Sequence, residues 1–284
     1  MRSSSILVWL LLLLLAVSAA VGAEFSRAEV ESLLAAAPES PRPSFAGRSL
    51  AGLDLHALDL HKVDFSSADL TGADLSEADL RGAKLVATKL TGAKLPRARL
   101  NLAWIMRADF SHADLSQATI ETLVASAGME TQPDEAAKFV GANLSGAKVT
   151  ARFSLDDMRS ANLSHLKASA DMRNQSMGLM NGRFSAASLI EADLSAADVS
   201  RADFSFAKLT RAKLVGAKLV RSDFSGADLT GADLTNADLR DSTFIDTDFT
   251  GAKLSGAHFE GSTWRNPRGI ADAQARGASG VPPP

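Results

Sequence analysis

The 284-residue chain has no cysteine and no tyrosine, only 6 % aromatic residues, and a formal net charge of −3. Without cysteine there is no disulfide framework, no thiolate nucleophile, no cysteine-ligated zinc and no lipid anchor on an N-terminal cysteine. The near-neutral balance excludes a non-specific nucleic-acid binder, and 46 % hydrophobic residues exclude global disorder. Missing too are HExxH, GxSxG and a phosphate-binding loop. The five histidines, His56, His61, His112, His165 and His258, fall at no ligand spacing. The chain therefore reads as a non-enzyme, with no catalytic residues, no cofactor and no nucleic-acid partner. What is abundant is alanine, fifty residues of it. A core so rich in alanine must bring backbones close together.

The N-terminus carries an export pattern. Arg2 supplies one positive charge, Ile6 to Val17 is an unbroken apolar run, and Ser18 to Ala23 turns small. Val21 and Ala23 stand where signal peptidase reads, so residues 1–23 are expected to be a signal peptide cleaved after Ala23. The apolar run is shorter than the roughly 20 residues of a spanning helix. No integral span is expected after cleavage, and the product is expected to be exported, periplasmic or extracellular. Residues 24–44 read as a cap and linker: Ser26 and Glu29 form a capping box before Val30, Leu33 and Leu34, predicting a short amphipathic helix that ends at Pro38.

From Leu50 to Ile120, and again from Leu179 to Trp264, every fifth residue is large and apolar, and two residues before it stands a small one. Between Ala187 and Ser262 that small position holds only Ala, Ser or Thr. A step of five advances a helix by about 500°, which scatters the centres around the cylinder. On a flat strand it alternates faces. Inward steps of 2, 3, 2, 3 fit a chain that turns a corner every five residues. Four corners close a square coil of 20 residues, with large centres along the axis and alanine at the narrow walls.

Units such as Ala68-Asp-Leu-Thr-Gly72, Ala73-Asp-Leu-Ser-Glu77, Ala227-Asp-Leu-Thr-Gly231 and Ala232-Asp-Leu-Thr-Asn236 resemble the A(D/N)LXX repeat of the pentapeptide-repeat family, here as an exported, bacterial-type member. The resemblance implies an all-β fold, a right-handed quadrilateral parallel β-helix, over roughly 45–265. It says little of function, because function sits in sites grafted on a fold.

The residue before each centre points outward, and position n should lie beside n+20, about 4.8 Å away. This predicts the stacks Asp69/Lys89/Asp109, Asp74/Lys94/Asp114, Asp193/Lys213/Asp233/Lys253 and Asp198/Lys218/Asp238/His258. Opposite charges meeting between coils act as a register device, each pair contributing about 0.2–1 kcal/mol. Asp203/Asp223 departs from the alternation.

The first run spans 45–120, an insertion in loop or short-helix form spans 121–138, irregular repeats span 139–178, the second run spans 179–265, and the tail 266–284 is expected to be disordered. In the irregular stretch the centres slip by one residue to Phe153, Met158, Leu163 and Ala168. Departures from a strict repeat are where functional residues break a local rule. Arg173, Asn174 and Gln175 are accordingly the candidate partner contacts. Met172, Met177 and Met180 are weak candidates for a copper(I) thioether site, against which stands their use as irregular core filling. Trp104, an aromatic at an outward position, is either a partner anchor or is covered by the 121–138 insertion.

The function expected is an exported protein-interaction or structural scaffold of the cell envelope, with an unknown protein partner. The alternative is a soft-metal or small-ligand binder at 150–180. The best-known activity of the family, topoisomerase protection by mimicry of duplex DNA, fits less well. Duplex DNA carries one negative charge per about 1.7 Å, whereas lysines here interleave with the aspartates.

Overall fold

The computed structural model describes residues 22–37, 41–121, 131–150, 152–168, 182–270 and 277–281. Its organising unit is one pentapeptide, and the backbone accounting of that unit explains its sequence. In the unit 70–74, the Leu70 amide donates to Lys89 O on the next coil (2.8 Å) and Gly72 donates to Thr91 O (3.0 Å). Ala73 closes the corner by donating to Leu70 O (3.0 Å), and Asp74 reaches back to Leu53 O (2.9 Å). The fifth amide, Thr71, is satisfied by a side chain: Asp69 Oδ1 accepts it at 2.9 Å. This Asx turn recurs at Asp64–Ser66, Asp114–Ser116, Asn143–Ser145, Asp193–Ser195 and Asp233–Thr235. The preference for Asp or Asn before the centre is thus first a matter of a corner amide that needs an acceptor.

Each corner is a turn of the type II kind, whose third residue needs a positive φ. Glycine supplies it at Gly72 (φ 65°), but Ala87 (56°), Ala196 (55°), Arg201 (62°) and Phe206 (58°) adopt it without that freedom.

Corners and bridges stack into a four-sided parallel column. Its first side carries the outward row Ser44, Asp64, Lys84, Trp104 and, further on, Arg152, Arg183, Asp203, Asp223. The second carries Asp69, Lys89, Asp109, Lys138, Asp157, Ser188; the third, Asp74, Lys94, Asp114, Asn143, Asn162, Asp193; the fourth, Asp79, Arg99. The fourth row then runs through Thr119 and Lys148 where the parallel strands β1 (Thr119–Glu121) and β2 (Lys148–Thr150) pair, and on to Lys167 and Asp198. A second such pair, β3 (Thr243–Ile245) and β4 (Thr263–Arg265), lies on the first side. The charge stacks keep the 20-residue register, with ion pairs such as Lys253–Asp233 (3.2 Å), Arg268–Asp248 (3.0 Å) and Arg211–Glu191 (2.7 Å).

The core is the column's axis, where Leu and Phe centres and Ala walls are almost wholly excluded from solvent. Phe184, Phe204 and Phe224 stack with ring centroids 5.0 Å apart. Where the small position is hydroxylated, the hydroxyl donates to the centre's carbonyl one coil back: Thr88 to Phe65 (2.7 Å), Ser242 to Leu219 (2.8 Å), Thr247 to Phe224 (2.8 Å). Buried hydroxyls therefore cost little here.

Both ends are covered, as open β-edges require. Helix α1 (Arg27–Ala36) starts at a capping box between Ser26 and Glu29 and buries Val30 and Leu34. Phe25 meets Phe45 edge-on at 5.3 Å, and the Glu24 amide donates to Ser49 O at 2.7 Å. At the other end Trp264 stacks on Phe244 at 4.5 Å. The tail differs from its expected disorder in its described parts. Arg268 bridges Asp248, Ser279 bridges His258, and Val281 is buried. A chain edge in need of partners outweighs a composition poor in apolar residues.

Candidate functional site

A regular coil consumes 20 residues, and three consecutive coils do not. From Asp109 to Lys138 the chain takes 29, from Lys138 to Asp157 it takes 19, and from Asp157 to Ser188 it takes 31. All three irregularities, after Ile120, after Val149 and after Ala168, fall between the fourth side and the first. They share one corner of the column. The core runs past them unbroken: Phe110 stacks on Phe139 at 4.9 Å, and Phe153 on Phe184 at 5.6 Å. The last excursion leaves and re-enters at one point, because the Gly182 amide lies 3.4 Å from Ala168 O. A Cβ on Gly182 would sit 3.0 Å from Phe184 and 3.1 Å from the Ala168 methyl, so glycine is required by space there.

Two local substitutions accompany the break. Leu166 fills the small position beside Ala168, reversing the usual large and small roles, and both are buried. At the small position before Met158 stands Asp156, 1 % exposed, where alanine is the rule. Its Oδ1 accepts the Ala137 amide at 2.9 Å, and its Oδ2 has no partner among the described residues. Burial pushes its pKa up to about 8, opposed only by the Ala137 hydrogen bond. At neutral pH it is mainly the uncharged acid.

Beside this corner lies a cavity of about 350 Å³ lined by Thr131, Arg152, Ser154, Leu155, Arg183, Ser185, Ala186, Asp203 and Ser205. Arg152 and Arg183 are register partners, as are Lys148 and Lys167 across the corner. Among the bridged pairs of the described residues, these two are the ones in which a cation meets a cation.

The sequence-derived candidates fare unevenly. Arg173, Asn174, Gln175, Met172, Met177 and Met180 lie outside the described residues. Trp104 stands on the first side two coils before Arg152 and is 41 % exposed, and residues 122–130 of the insertion expected to cover it lie outside the described residues. Among the described residues no group of three His, Asp or Glu is arranged to hold a metal, and no helix is long and apolar enough to cross a membrane. Asp156, Thr131 and the Arg152–Arg183 pair escaped the sequence reading. Asp156 was findable, since the one-residue slip places it where alanine belongs.

A family model described as pentapeptide repeats, in eight copies, matches residues 49–85, 83–121, 187–226 and 222–261, just over half of the chain. A search of curated proteins found no match. Among solved structures, the chain is similar to HetL, a pentapeptide repeat protein involved in heterocyst differentiation regulation in the cyanobacterium Nostoc sp. strain PCC 7120. The likeness has 23 % identity and a TM-score of 0.34, covering 90 % of this chain and 99 % of that one. It is similar to QnrB1, a plasmid-mediated fluoroquinolone resistance protein, at 16 % identity and TM-score 0.45, covering 82 % and 96 %. A pentapeptide repeat protein of the Arabidopsis thaliana thylakoid lumen matches at 25 % identity and TM-score 0.24, covering 42 % and 72 %.

Proposed function

The chain belongs to the pentapeptide-repeat family, and on that premise we propose that it is a non-enzymatic scaffold, exported to the cell envelope, that engages a protein partner along the corner between its fourth and first sides. One observation supports this reading above the rest. Across the described column the repeat is kept with little variation, and its departures gather at a single corner in three consecutive coils. A column needs no such departures to fold, so they are where binding is to be sought. Arg173, Asn174 and Gln175 fall in the sequence between Ala168 and Gly182, the residues that flank this corner, and are the proposed contacts, with Trp104 further along the first side.

Mimicry of duplex DNA is disfavoured by the outward rows, where lysine follows aspartate in Asp193, Lys213, Asp233 and Lys253. Chemical crosslinking in intact cells, followed by purification of the tagged chain, tests the scaffold reading. A recurring adduct with an envelope protein is expected. Recovery from the cytoplasm alone, or only as an unmodified chain, would contradict it.

A further inference from the structure

The first coil has no coil before it, and three residues take the place of the bonds that one would make. In the column a centre's amide donates to the outward carbonyl one coil on, as Leu70 does to Lys89, and an outward amide donates back to the small residue's carbonyl, as Asp74 does to Leu53. On the third side Arg27 of α1 supplies the missing donors, its guanidinium reaching Asp54 O (3.4 Å) and His56 O (3.1 Å). On the fourth, Arg42 does the same for Asp59 O (2.5 Å) and His61 O (3.2 Å). On the second side a single residue supplies both kinds of group. The Glu24 amide donates to Ser49 O at 2.7 Å, and Glu24 Oε1 accepts the Ser49 amide at 3.2 Å. An open β-edge needs such partners for its backbone groups.

Glu24 is held in place from two further directions. Arg48 pairs with its carboxylate and lies over the Phe25 ring at 5.1 Å, and Phe25 is buried against Phe45. Immediately before Glu24 this hold ends. Gly22 and Ala23 are exposed, and among the described residues their one hydrogen bond is that of Gly22 O, which accepts the Ser49 hydroxyl at 3.2 Å. The capping bonds therefore start at the residue that follows the cut expected from the sequence.

We propose that Ala23–Glu24 is the bond hydrolysed in processing, and that the α-ammonium group left on Glu24 stays at Ser49 O as part of the end cap. The proposal rests on the export reading above. A membrane-bound endopeptidase that reads the small residues Val21 and Ala23 adds water across the bond. The hydroxyl goes to the Ala23 carbonyl carbon, and the departing Glu24 nitrogen takes a proton. An amide donor is thereby replaced by a charged one, and charge-assisted hydrogen bonds are the stronger kind. The cap gives up only the acceptor at Gly22 O.

The chain isolated from the exported fraction tests this. Mass spectrometry should place its first residue at Glu24. A brief pulse of acetic anhydride at pH 7, where α-amines react ahead of lysines, should label that amine at least tenfold more slowly than the amine of a chain beginning at Gly22. Arg48→Gln, which frees the Glu24 carboxylate, should bring the rate toward that of the longer chain. A first residue other than Glu24 overturns the proposal. Equal labelling of the two chains overturns it too, as does Glu24 recovered as its cyclic lactam, which requires the carboxylate to leave Arg48; both results would leave export standing. Recovery from the cytoplasm alone, with residues 1–23 intact, would contradict the export reading and the proposal with it.

Discussion

Asp156 accepts the Ala137 amide at 2.9 Å across 19 residues of chain, replacing an acceptor that the irregular coil has lost. In a regular corner the small residue's amide donates to the carbonyl of the preceding centre, as Ala142 does to Phe139 at 3.0 Å. Ala137 lies at the end of the 121–138 segment, and its amide goes to Asp156 instead of closing a corner in this way. A carboxyl from the next coil takes over, and the column continues. The excursion at one coil and the buried acid at the next form a single device.

Because Asp156 holds its proton up to about pH 8 when folded, against an ordinary value of 3.8, the folded state binds a proton that the unfolded chain releases. Its contribution to stability is complete below about pH 4 and is lost as pH rises to about 8. Asp156→Asn keeps an acceptor for Ala137 and removes the titration. Chemical denaturation at pH 5, 7 and 9 should show wild type losing stability across the series and the variant nearly flat. Parallel curves would refute the assignment.

The outward aspartates act with the opposite sign. The Thr71 side chain and amide, aided by Lys89, hold Asp69 below its usual range against partial burial, and the Ser76 side chain and amide with Lys94 do the same for Asp74. Their stabilisation is present above the ordinary carboxylate range and lost as pH falls through the lowered values. Acid unfolding should begin near pH 3–4, within the carboxylate range, and Asp156→Asn should leave that limb in place.

If Asp69 serves chiefly as an acceptor for the Thr71 amide, Asn can replace it and Ala cannot. Asp69→Asn should change stability by a few tenths of a kcal/mol, and Asp69→Ala should cost about 1 kcal/mol. Equal losses would assign the residue's role to its charge beside Lys89 instead.

The left-handed corners make a matched pair of predictions. Ala196→Gly removes a Cβ from a residue at φ 55° and should stabilise by up to about 1 kcal/mol, less the added flexibility of the unfolded chain. Gly216→Ala puts a Cβ into open space at φ 63° and should destabilise by about 1 kcal/mol from conformation alone. Thermal unfolding of both variants reads the difference; shifts of the same sign would contradict it.

The period of five was open to reading because each corner repeats one packing rule, large centre and small wall, at fixed spacing. The outward stacks followed from counting 20 residues onward, and Asp193/Lys213/Asp233/Lys253 stand as bridges in that register. The local duty of aspartate was hidden, because charge pairing and acceptance of a corner amide call for the same residue. Thr131 and the arginine pair were hidden for another reason. Arg152 and Arg183 become neighbours only once an 11-residue excess is assigned to one corner, and nothing in composition assigns it. The tail misled because Gly, Ala and Pro predict disorder only where no open edge awaits them.

The most direct test of the account places a photo-crosslinking residue at each of the column's four corners in turn and exposes intact cells to light. Thr150 and Ser200 represent the corner between the fourth and first sides, Ser154 and Ser185 the next, Thr91 and Thr230 the third, and Ser145 and Thr235 the fourth. The account predicts a defined partner adduct at Thr150, weaker at Ser200, and none at Thr91, Thr230, Ser145 or Thr235. Adducts of equal yield at all four corners, or a dominant adduct at the corner of Thr91 and Thr230, would contradict it.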